Sequence, residues 1–263
     1  MRLAVFSDIH GNLTAFEAAW ADFQAAGGAD HLWFLGDFAF AGPRPAECIQ
    51  RVQAIIAEAE ADETRKGTVR AIRGNTDRYL VTGQHMAQKP AENADQLAKM
   101  VEGLSHINTV ALWGIEQLSF DDYAFLSKLP GECDLHAPQF GYIIGYHGTP
   151  GDDEGFLTPE TDAEAAADAL LDREGRLGIG GHIHRQMDRL LPGGWRAVNV
   201  GSVGMSFDMP GKAQWGLFTF TEGGLTVDLR AVPYDLEAAV DDLYTVGHPL
   251  PAWVGKGLKR SDE

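Results

Sequence analysis

An α/β architecture, with a parallel sheet and crossover helices in the first half of the chain and hairpins in the second, is what this 263-residue sequence predicts. Three observations lead there. Short apolar runs at residues 3–6, 31–35 and 69–72 are separated by segments with helical spacing of apolar residues, and strand–helix–strand–helix–strand is the order of a parallel sheet. Each run stops at a turn bearing Gly with Asp or Asn: Ser7-Asp8-Ile9-His10-Gly11-Asn12, Gly36-Asp37, and Arg73-Gly74-Asn75-Thr76-Asp77. In such sheets, ligands sit at the carboxyl ends of the strands. Beyond residue 140 the runs are instead joined by Pro192-Gly193-Gly194 and Gly223-Gly224, which read as hairpin turns.

Leu3, Ala4, Val5 and Phe6 form an almost continuous apolar run, the pattern of a strand buried on both faces. Leu13, Phe16, Ala19, Trp20 and Phe23 fall on one helical face, so residues 12–26 read as an amphipathic helix capped by Asn12 and stopped by Gly27-Gly28. After the second strand comes a Gly/Pro-rich loop, 38–45, carrying Arg44. Pro45 suits the first turn of a helix running to about residue 59. A charged turn at 60–66 leads to the third strand. From 79 to 129 the pattern turns helical, with short helices expected at 94–100, 106–118 and 119–129, anchored by Trp113, Leu118, Tyr123, Phe125 and Leu126. This excursion is expected to pack beside the site and, as a variable cover over a rigid sheet, to carry substrate choice. A strand at 140–146 ends in His147-Gly148-Thr149-Pro150. An acidic loop at 151–160 and a helix at 163–171 follow, the helix capped by Thr161-Asp162. A short strand at 177–180 ends in Gly181-His182-Ile183-His184. Two hairpins, 187–191 with 195–200 and 214–220 with 225–232, precede a helix at 236–243. Residues 1–248 are expected as one domain, and 249–263, polar and punctuated by Gly and Pro, as a tail that frays.

Hydrophobic residues make up 44% and charged residues 22%, enough apolar surface for a sizeable core. The net charge of −17 disfavours a long polyanion such as duplex DNA, whose phosphates require Lys and Arg, while a local basic or metal-bearing cleft remains compatible with a small phosphate. Cys48 and Cys133 lie far apart in no ligand spacing and read as reduced thiols. No stretch approaches the roughly 18 apolar residues of a membrane span, so a cytoplasmic protein with no membrane partner is expected.

Seven polar residues stand at strand ends: Asp8, His10, Asp37, Asn75, His147, His182 and His184. Asp8-x-His10 alone is an ordinary polar turn. With partners of the same kind after later strands, three oxygen ligands and four imidazoles are roughly what two divalent cations need if one carboxylate is shared. On extended backbone Asp8 and His10, and likewise His182 and His184, would point to one side. His31, His85, His106, His136 and His248 lack such company and read as structural or surface groups.

The ordered series Asp8-x-His10, Gly36-Asp37, Gly74-Asn75-x-Asp77, His147-Gly148 and Gly181-His182-x-His184 resembles the calcineurin-like metallophosphoesterase superfamily. Ser7-Asp8-Ile9-His10-Gly11-Asn12, Asn199-Val200-Gly201-Ser202 and Val232-Pro233-Tyr234-Asp235 are similar to its small bacterial and archaeal phosphodiesterase branch, related to the YfcE-type phosphoesterases. The resemblance spans about residues 1–243. It implies a four-layer αββα sandwich, two mixed β-sheets flanked by helices.

The resemblance also implies roles. Asp8, His10 and His184 would hold one divalent cation, Asn75, His147 and His182 a second, and Asp37 would bridge them. Asp37, Asn75, Asp77 and His10 would be the catalytic set. The donor mixture suits Mn, Fe, Zn, Ni or Co without choosing among them, and is too nitrogen-rich for Mg or Ca; Mn is the first expectation. The implied reaction is hydrolysis of a small phosphate mono- or diester, a nucleotide among the candidates, by in-line attack of a hydroxide between the cations without a phosphoenzyme. One departure stands out: many members carry Gly-Asn-His-Asp/Glu, and here the His position is Thr76. No imidazole is then assigned as general acid; either His10 or a water compensates, or good leaving groups are favoured. Asp77 either orients His10 or another ligand, or is a plain turn carboxylate. Arg44 and Arg73 are candidates for the substrate phosphate, and Arg44 and Thr76 are the substrate contacts expected here. Asn199 and Ser202 shape the pocket or turn the chain. Two competing functions are a non-catalytic protein-binding scaffold on the same fold, opposed by the complete ligand set, and a nuclease, opposed by the charge.

Overall fold

Leu3 and Val5 face one way, Ala4 and Phe6 the other, and all four are fully buried. The first strand therefore lies inside the molecule with packed layers on both sides. The computed structural model describes residues 1–85, 89–138, 140–170 and 175–260. In chain order the elements are β1 (Arg2–Phe6), α1 (Leu13–Ala25), β2 (His31–Phe34), α2 (Pro45–Ala61), β3 (Val69–Ala71), α3 (Asn75–Thr82), α4 (Ala94–Gln117), α5 (Phe120–Lys128), β4 (Glu132–Ala137), β5 (Gly141–Tyr146), α6 (Ala163–Asp168), β6 (Leu177–Gly180), β7 (Gln186–Leu190), β8 (Arg196–Val200), β9 (Lys212–Thr221), β10 (Gly224–Pro233), α7 (Leu236–Thr245) and α8 (Pro251–Leu258).

Two mixed five-stranded sheets result, ordered β10-β9-β1-β2-β3 and β4-β5-β6-β8-β7. In the first, β1, β2 and β3 run parallel, as their crossover helices require, and β9 joins β1 antiparallel with Leu3 opposite Phe218. In the second, β5, β6 and β8 run parallel, with β4 and β7 antiparallel at the edges. Three apolar layers hold the stack. Leu3, Val5, Trp33, Ile143, Ile179 and Phe218 fill the space between the sheets. Ala4, Phe6, Phe16, Phe34, Ile49 and Trp215 lie between the first sheet and its helices. Ile144, Tyr146, Ala166 and Leu170 pack the second sheet against α6. Phe6 stacks flat on Trp215 at 5.2 Å, so truncating Phe6 to Ala would cost about 3–5 kcal/mol. This is the expected four-layer αββα arrangement.

Local chemistry places the helix starts. Asn12 accepts the N–H of Ala15 and caps α1, and Pro45 opens α2. Several expectations are corrected. The helices expected at 94–100 and 106–118 are one helix, α4, because Gly103 between them is tolerated inside it at the modest cost of a glycine. Asn75-Thr76-Asp77 is the first turn of α3 rather than a loop. The alternation Cys133-Asp134-Leu135-His136-Ala137 is a strand, β4, that the sequence reading passed over. The tail expected to fray from 249 instead forms α8, whose Val254 and Leu258 are buried against Ala41, Val110 and Leu243. Residue 171 of the expected helix, residues 86–88 of the excursion and residues 261–263 lie outside the described residues. Among the described residues, no helix is long and apolar enough to cross a membrane.

Candidate metal centre

The polar residues singled out in the sequence all follow the carboxyl ends of strands. Asp8 and His10 follow β1, Asp37 follows β2, Asn75 to Asp77 follow β3, His147 follows β5, and His182 and His184 follow β6. Their convergence does not come from extended alternation. Asp8, His10, Asp37, His182 and His184 are all left-handed, with φ of 57°, 52°, 57°, 69° and 56°. The backbone turns at each of these residues and is then pinned across strands. Asp8 N–H donates to Gly36 O at 3.0 Å, His10 N–H to Asp37 O at 2.8 Å, and His182 N–H to Asp8 Oδ2 at 3.0 Å. Two glycines permit this closeness. A Cβ on Gly74 would fall onto Asp37 Oδ1, and one on Gly181 onto Ser7 Oγ and Asp8 Oδ2.

Two groups of donors form. Asp8, His10 and His184 make the first: His184 Nε2 lies 3.1 Å from Asp8 Oδ1, His10 Nε2 lies 3.7 Å from the same oxygen, and the two Nε2 atoms are 2.9 Å apart. Asp8, Asp37 and His147 make the second, with His147 Nε2 3.4 Å from Asp37 Oδ2 and 3.9 Å from Asp8 Oδ1. Asn75 Oδ1 joins that second group, 2.9 Å from His147 Nε2 and 3.1 Å from His182 Nδ1. Asp37 Oδ2 also reaches within 3.6 Å of His10 Nε2, so it stands between the groups, while its Oδ1 accepts the Thr76 N–H at 2.9 Å.

The imidazoles are oriented from behind. His10, His147 and His184 each turn Nδ1 to a backbone carbonyl, of Phe40, Leu35 and Met205, at 2.9, 2.7 and 2.7 Å. Donation there aims each Nε2 into the site, the usual arrangement behind a ligating histidine. His182 is reversed, with Nδ1 toward Asn75. Burial opposes charge throughout, yet the groups hold each other ionised. Burial works against protonated His147, but Asp37 and Asp8 outweigh it and lift that imidazole to about 10. Burial likewise opposes ionised Asp37, and His147 overrides it, holding the carboxyl at about 2. Burial, with the positive His147 beside it, pushes His182 down to about 4.

Asp8 Oδ1 and His182 Nε2 are buried with no hydrogen-bond partner in the protein. A buried carboxylate oxygen without a donor is costly. Together with three imidazole lone pairs and an amide oxygen, it is the donor set a pair of borderline divalent cations would complete. The residues present fit such a metal centre.

The comparisons agree with this geometry. The model of the Calcineurin-like phosphoesterase superfamily domain matches residues 1–223. The chain belongs to that superfamily. It is 25% identical to an uncharacterized protein of Methanocaldococcus jannaschii over 97% of this chain and 96% of that one. Its fold is shared by a hypothetical protein of Pyrococcus horikoshii OT3 (TM-score 0.77, 21% identity, 100% of this chain and 99% of that one). A metallophosphoesterase from Sphaerobacter thermophilus shares it too (TM-score 0.70, 22% identity, 98% of both chains). As a calcineurin-like phosphoesterase, the protein is a phosphoester hydrolase of a family that uses divalent metal ions.

The remaining sequence candidates fare differently. Asp77 does not touch His10. It is fully buried and accepts backbone N–H groups of Asp37, Gly74 and Phe38 at 2.7, 3.0 and 3.0 Å, which fixes the turn that carries Asp37. Burial and the nearby Asp37 carboxylate push it up to about 7 in spite of those donors. Arg44 is a correction: its guanidinium forks onto Asp242 of α7 at 2.7 and 2.6 Å and reaches Glu47, away from the centre. Arg73 does not line the cavity that holds His10, Asp37, Asn75, His182 and His184; it lines a neighbouring one that His147 also borders. Thr76 does line the cavity over the centre, and its Oγ1 is buried without a partner. Ser202 Oγ donates to Asp8 O at 2.8 Å, and Asn199 donates to Gly181 O, so both brace the ligand turns.

The cavity over the centre measures about 780 Å³. Among the described residues, none of its lining comes from the excursion at 79–129; the wall is built by Phe40, Phe156, Phe207 and residues of α8. Sequence reasoning missed α8 because its Gly255 and Gly257 look like loop residues. The signal was the pair Val254 and Leu258, one helical turn apart.

Proposed function

We propose that the protein is a phosphoesterase that hydrolyses a small phosphate ester at a centre of two divalent cations, with manganese the first ion to test. The observation that carries this is the position of Asp37 Oδ2, 3.6 Å from His10 Nε2 and 3.4 Å from His147 Nε2, where one carboxylate can serve both donor groups. Cations held there would neutralise the phosphoryl oxygens and lower the pKa of a water between them. The chain's own residues then do three things. His10, His147 and His184, fixed through Nδ1, keep their Nε2 atoms directed inward, where each must be free of its proton to bind a cation. Asp77 holds the Asp37 turn, and the Thr76 N–H holds the Asp37 carboxylate, at 2.9 Å. Thr76 lines the cavity beside them, with its hydroxyl buried and unpartnered.

Among the described residues, neither His10 nor Thr76 is placed to supply a labile proton to the leaving group. The Nδ1 of His10 is engaged by Phe40 O, and a threonine hydroxyl is too weak an acid. Esters of acidic alcohols and phenols should therefore turn over best. The test is elemental analysis joined to hydrolysis of p-nitrophenyl phosphate, bis-p-nitrophenyl phosphate and unsubstituted phenyl phosphate with added Mn. The reading requires near two metals per chain and turnover falling steeply from nitrophenyl to phenyl ester. No bound metal and no turnover with any divalent ion would overturn it.

A further inference from the structure

Two features of the cavity exceed what a phosphate at a metal centre requires. The first is aromatic lining. Phe156 leans on His182 with ring centres 4.8 Å apart, Phe207 on His184 at 4.6 Å, and Trp253 stands 39% exposed at the wall. Phe156, at 59% exposure, is among the most exposed large apolar side chains of the chain. Aromatic faces left to water around a cavity mark a site that receives an apolar or planar group.

The second is charge. In a chain of net charge −17, the charged residues lining the cavity other than the metal-site Asp37 are Lys256, Lys259 and Arg260, all basic. Lys259 is paired with Glu237 at 2.8 Å, and Arg260 lies over the Phe207 ring at 5.2 Å. Lys256 is exposed and makes no ion pair among the described residues. A positive wall inside an acidic protein concentrates an anion there.

Both features meet on α8. Val254 and Leu258, one turn apart, are buried against Ala41, Val110 and Leu243. Trp253, Lys256, Gly257 and Arg260, spaced i, i+3, i+4 and i+7, share the face that lines the cavity. The superfamily match ends at residue 223, so this wall lies outside it.

We infer that α8 is the specificity wall of the centre, and that the ligand it selects is a nucleotide-like phosphate ester. Such a ligand has a planar heteroaromatic ring to stack on Trp253, whose ring otherwise meets His106 at 5.4 Å, and a second negative charge to meet Lys256. This rests on the phosphoesterase reading, because it seats the first phosphate at the metal centre.

The test is calorimetric titration of the full-length, Mn-loaded protein with ribose 5-phosphate, AMP and ADP, run beside turnover of bis-p-nitrophenyl phosphate. Stacking one base is worth about five- to a hundredfold in affinity, so AMP should bind about tenfold or more tighter than ribose 5-phosphate. Trp253→Ala should cut that ratio below about threefold, and Trp253→Phe should retain most of it. ADP should bind tighter than AMP, and Lys256→Gln should remove that margin. Matching thermal midpoints would show that α8 remains docked in the variants. An AMP to ribose 5-phosphate ratio near one, or a ratio unmoved by Trp253→Ala with α8 docked, overturns the inference. Absence of turnover alone would sink the phosphoesterase reading, and the affinity ratio would still decide this one.

Discussion

Asp77 tests whether the metal-site geometry is imposed by the fold. Its carboxylate receives three buried backbone N–H groups, from Asp37, Gly74 and Phe38. Asp77→Ala leaves all three without a partner, and each orphaned donor costs roughly 1–3 kcal/mol. Relaxation of the turn and entry of water reduce the sum, so a loss of about 3–5 kcal/mol is expected, the range of a broken buried network. Asp77→Asn is no rescue. Its carbonyl can serve one side of the network, and its NH₂ would face a donor, leaving a loss of about 2–4 kcal/mol. Because the Asp37 turn is what moves, manganese affinity should fall about 10–100-fold as well. Urea unfolding of metal-free protein gives the stability change from the midpoint at constant slope, and titration with Mn gives the affinity. If Asp77→Ala costs less than about 1 kcal/mol with metal affinity intact, the claim that Asp77 holds the Asp37 turn is wrong.

Proton competition should govern metal loading. His147, at about 10 without metal, must lose its proton to bind, so apparent Mn affinity should rise about tenfold per pH unit between pH 6 and 8; a flat profile by calorimetry would show that no proton is displaced. Arg44→Ala should leave turnover within about twofold and lower stability by about 1 kcal/mol or less, because this part-exposed guanidinium serves Asp242 and Glu47 and not the substrate. A large rise in KM would return Arg44 to the site. His248 is buried with its Nδ1 accepting the Leu250 N–H and its ring edge-on to Trp113 at 4.5 Å, and burial pushes it down to about 4. With an unfolded value near 6.5, its neutral form stabilises the fold fully above that pH, and the contribution is lost as pH falls toward 4. The thermal midpoint should drop across that window, and His248→Phe should flatten the drop.

The strand ends were the most legible part of the chain. Apolar runs that stop at Gly with Asp, Asn or His needed no tertiary information, and those stops carry every donor of the two clusters. The reason they converge was not legible. Two-residue spacing suggests a shared face on extended backbone, whereas the structure uses left-handed turns at five of these residues, and handedness is not written in residue spacing. Arg44 shows a second limit: a guanidinium is readable as a phosphate ligand, but its actual carboxylate, Asp242, lies 198 positions away. The end of the chain shows a third. Gly255 and Gly257 lower helix propensity, and only the docking of Val254 and Leu258 on α7 and on Ala41 makes α8 worth forming. The part of the fold that shapes the cavity thus depends on tertiary burial, and local pattern pointed instead to the excursion at 79–129, none of whose described residues lines it.

The left-handed turns also explain why the centre is rigid. A non-glycine residue in that region costs about 1 kcal/mol or more, so five of them amount to a sizeable fraction of a domain's net stability. Such conformations persist only where neighbours over-determine them, and here the neighbours come from both sheets. The turn after β1 is tied to the turn after β2 through Asp8 N–H to Gly36 O and His10 N–H to Asp37 O. It is tied to the segment after β8 through Val203 N–H to Ser7 O and Gly204 N–H to Asp8 O, both at 2.9 Å, and to the turn after β6 through His182 N–H to Asp8 Oδ2. Asp8 is thus held by both layers of the sandwich, and the spacing of the two sheets, set by the apolar layer of Leu3, Val5, Ile179 and Phe218, becomes the spacing of the donors. A displacement of about 1 Å between reacting groups can cost a hundredfold in rate. Cavity-forming changes in the inter-sheet layer, such as Ile179→Ala, should therefore lower turnover through sheet spacing, although Ile179 is not itself a donor.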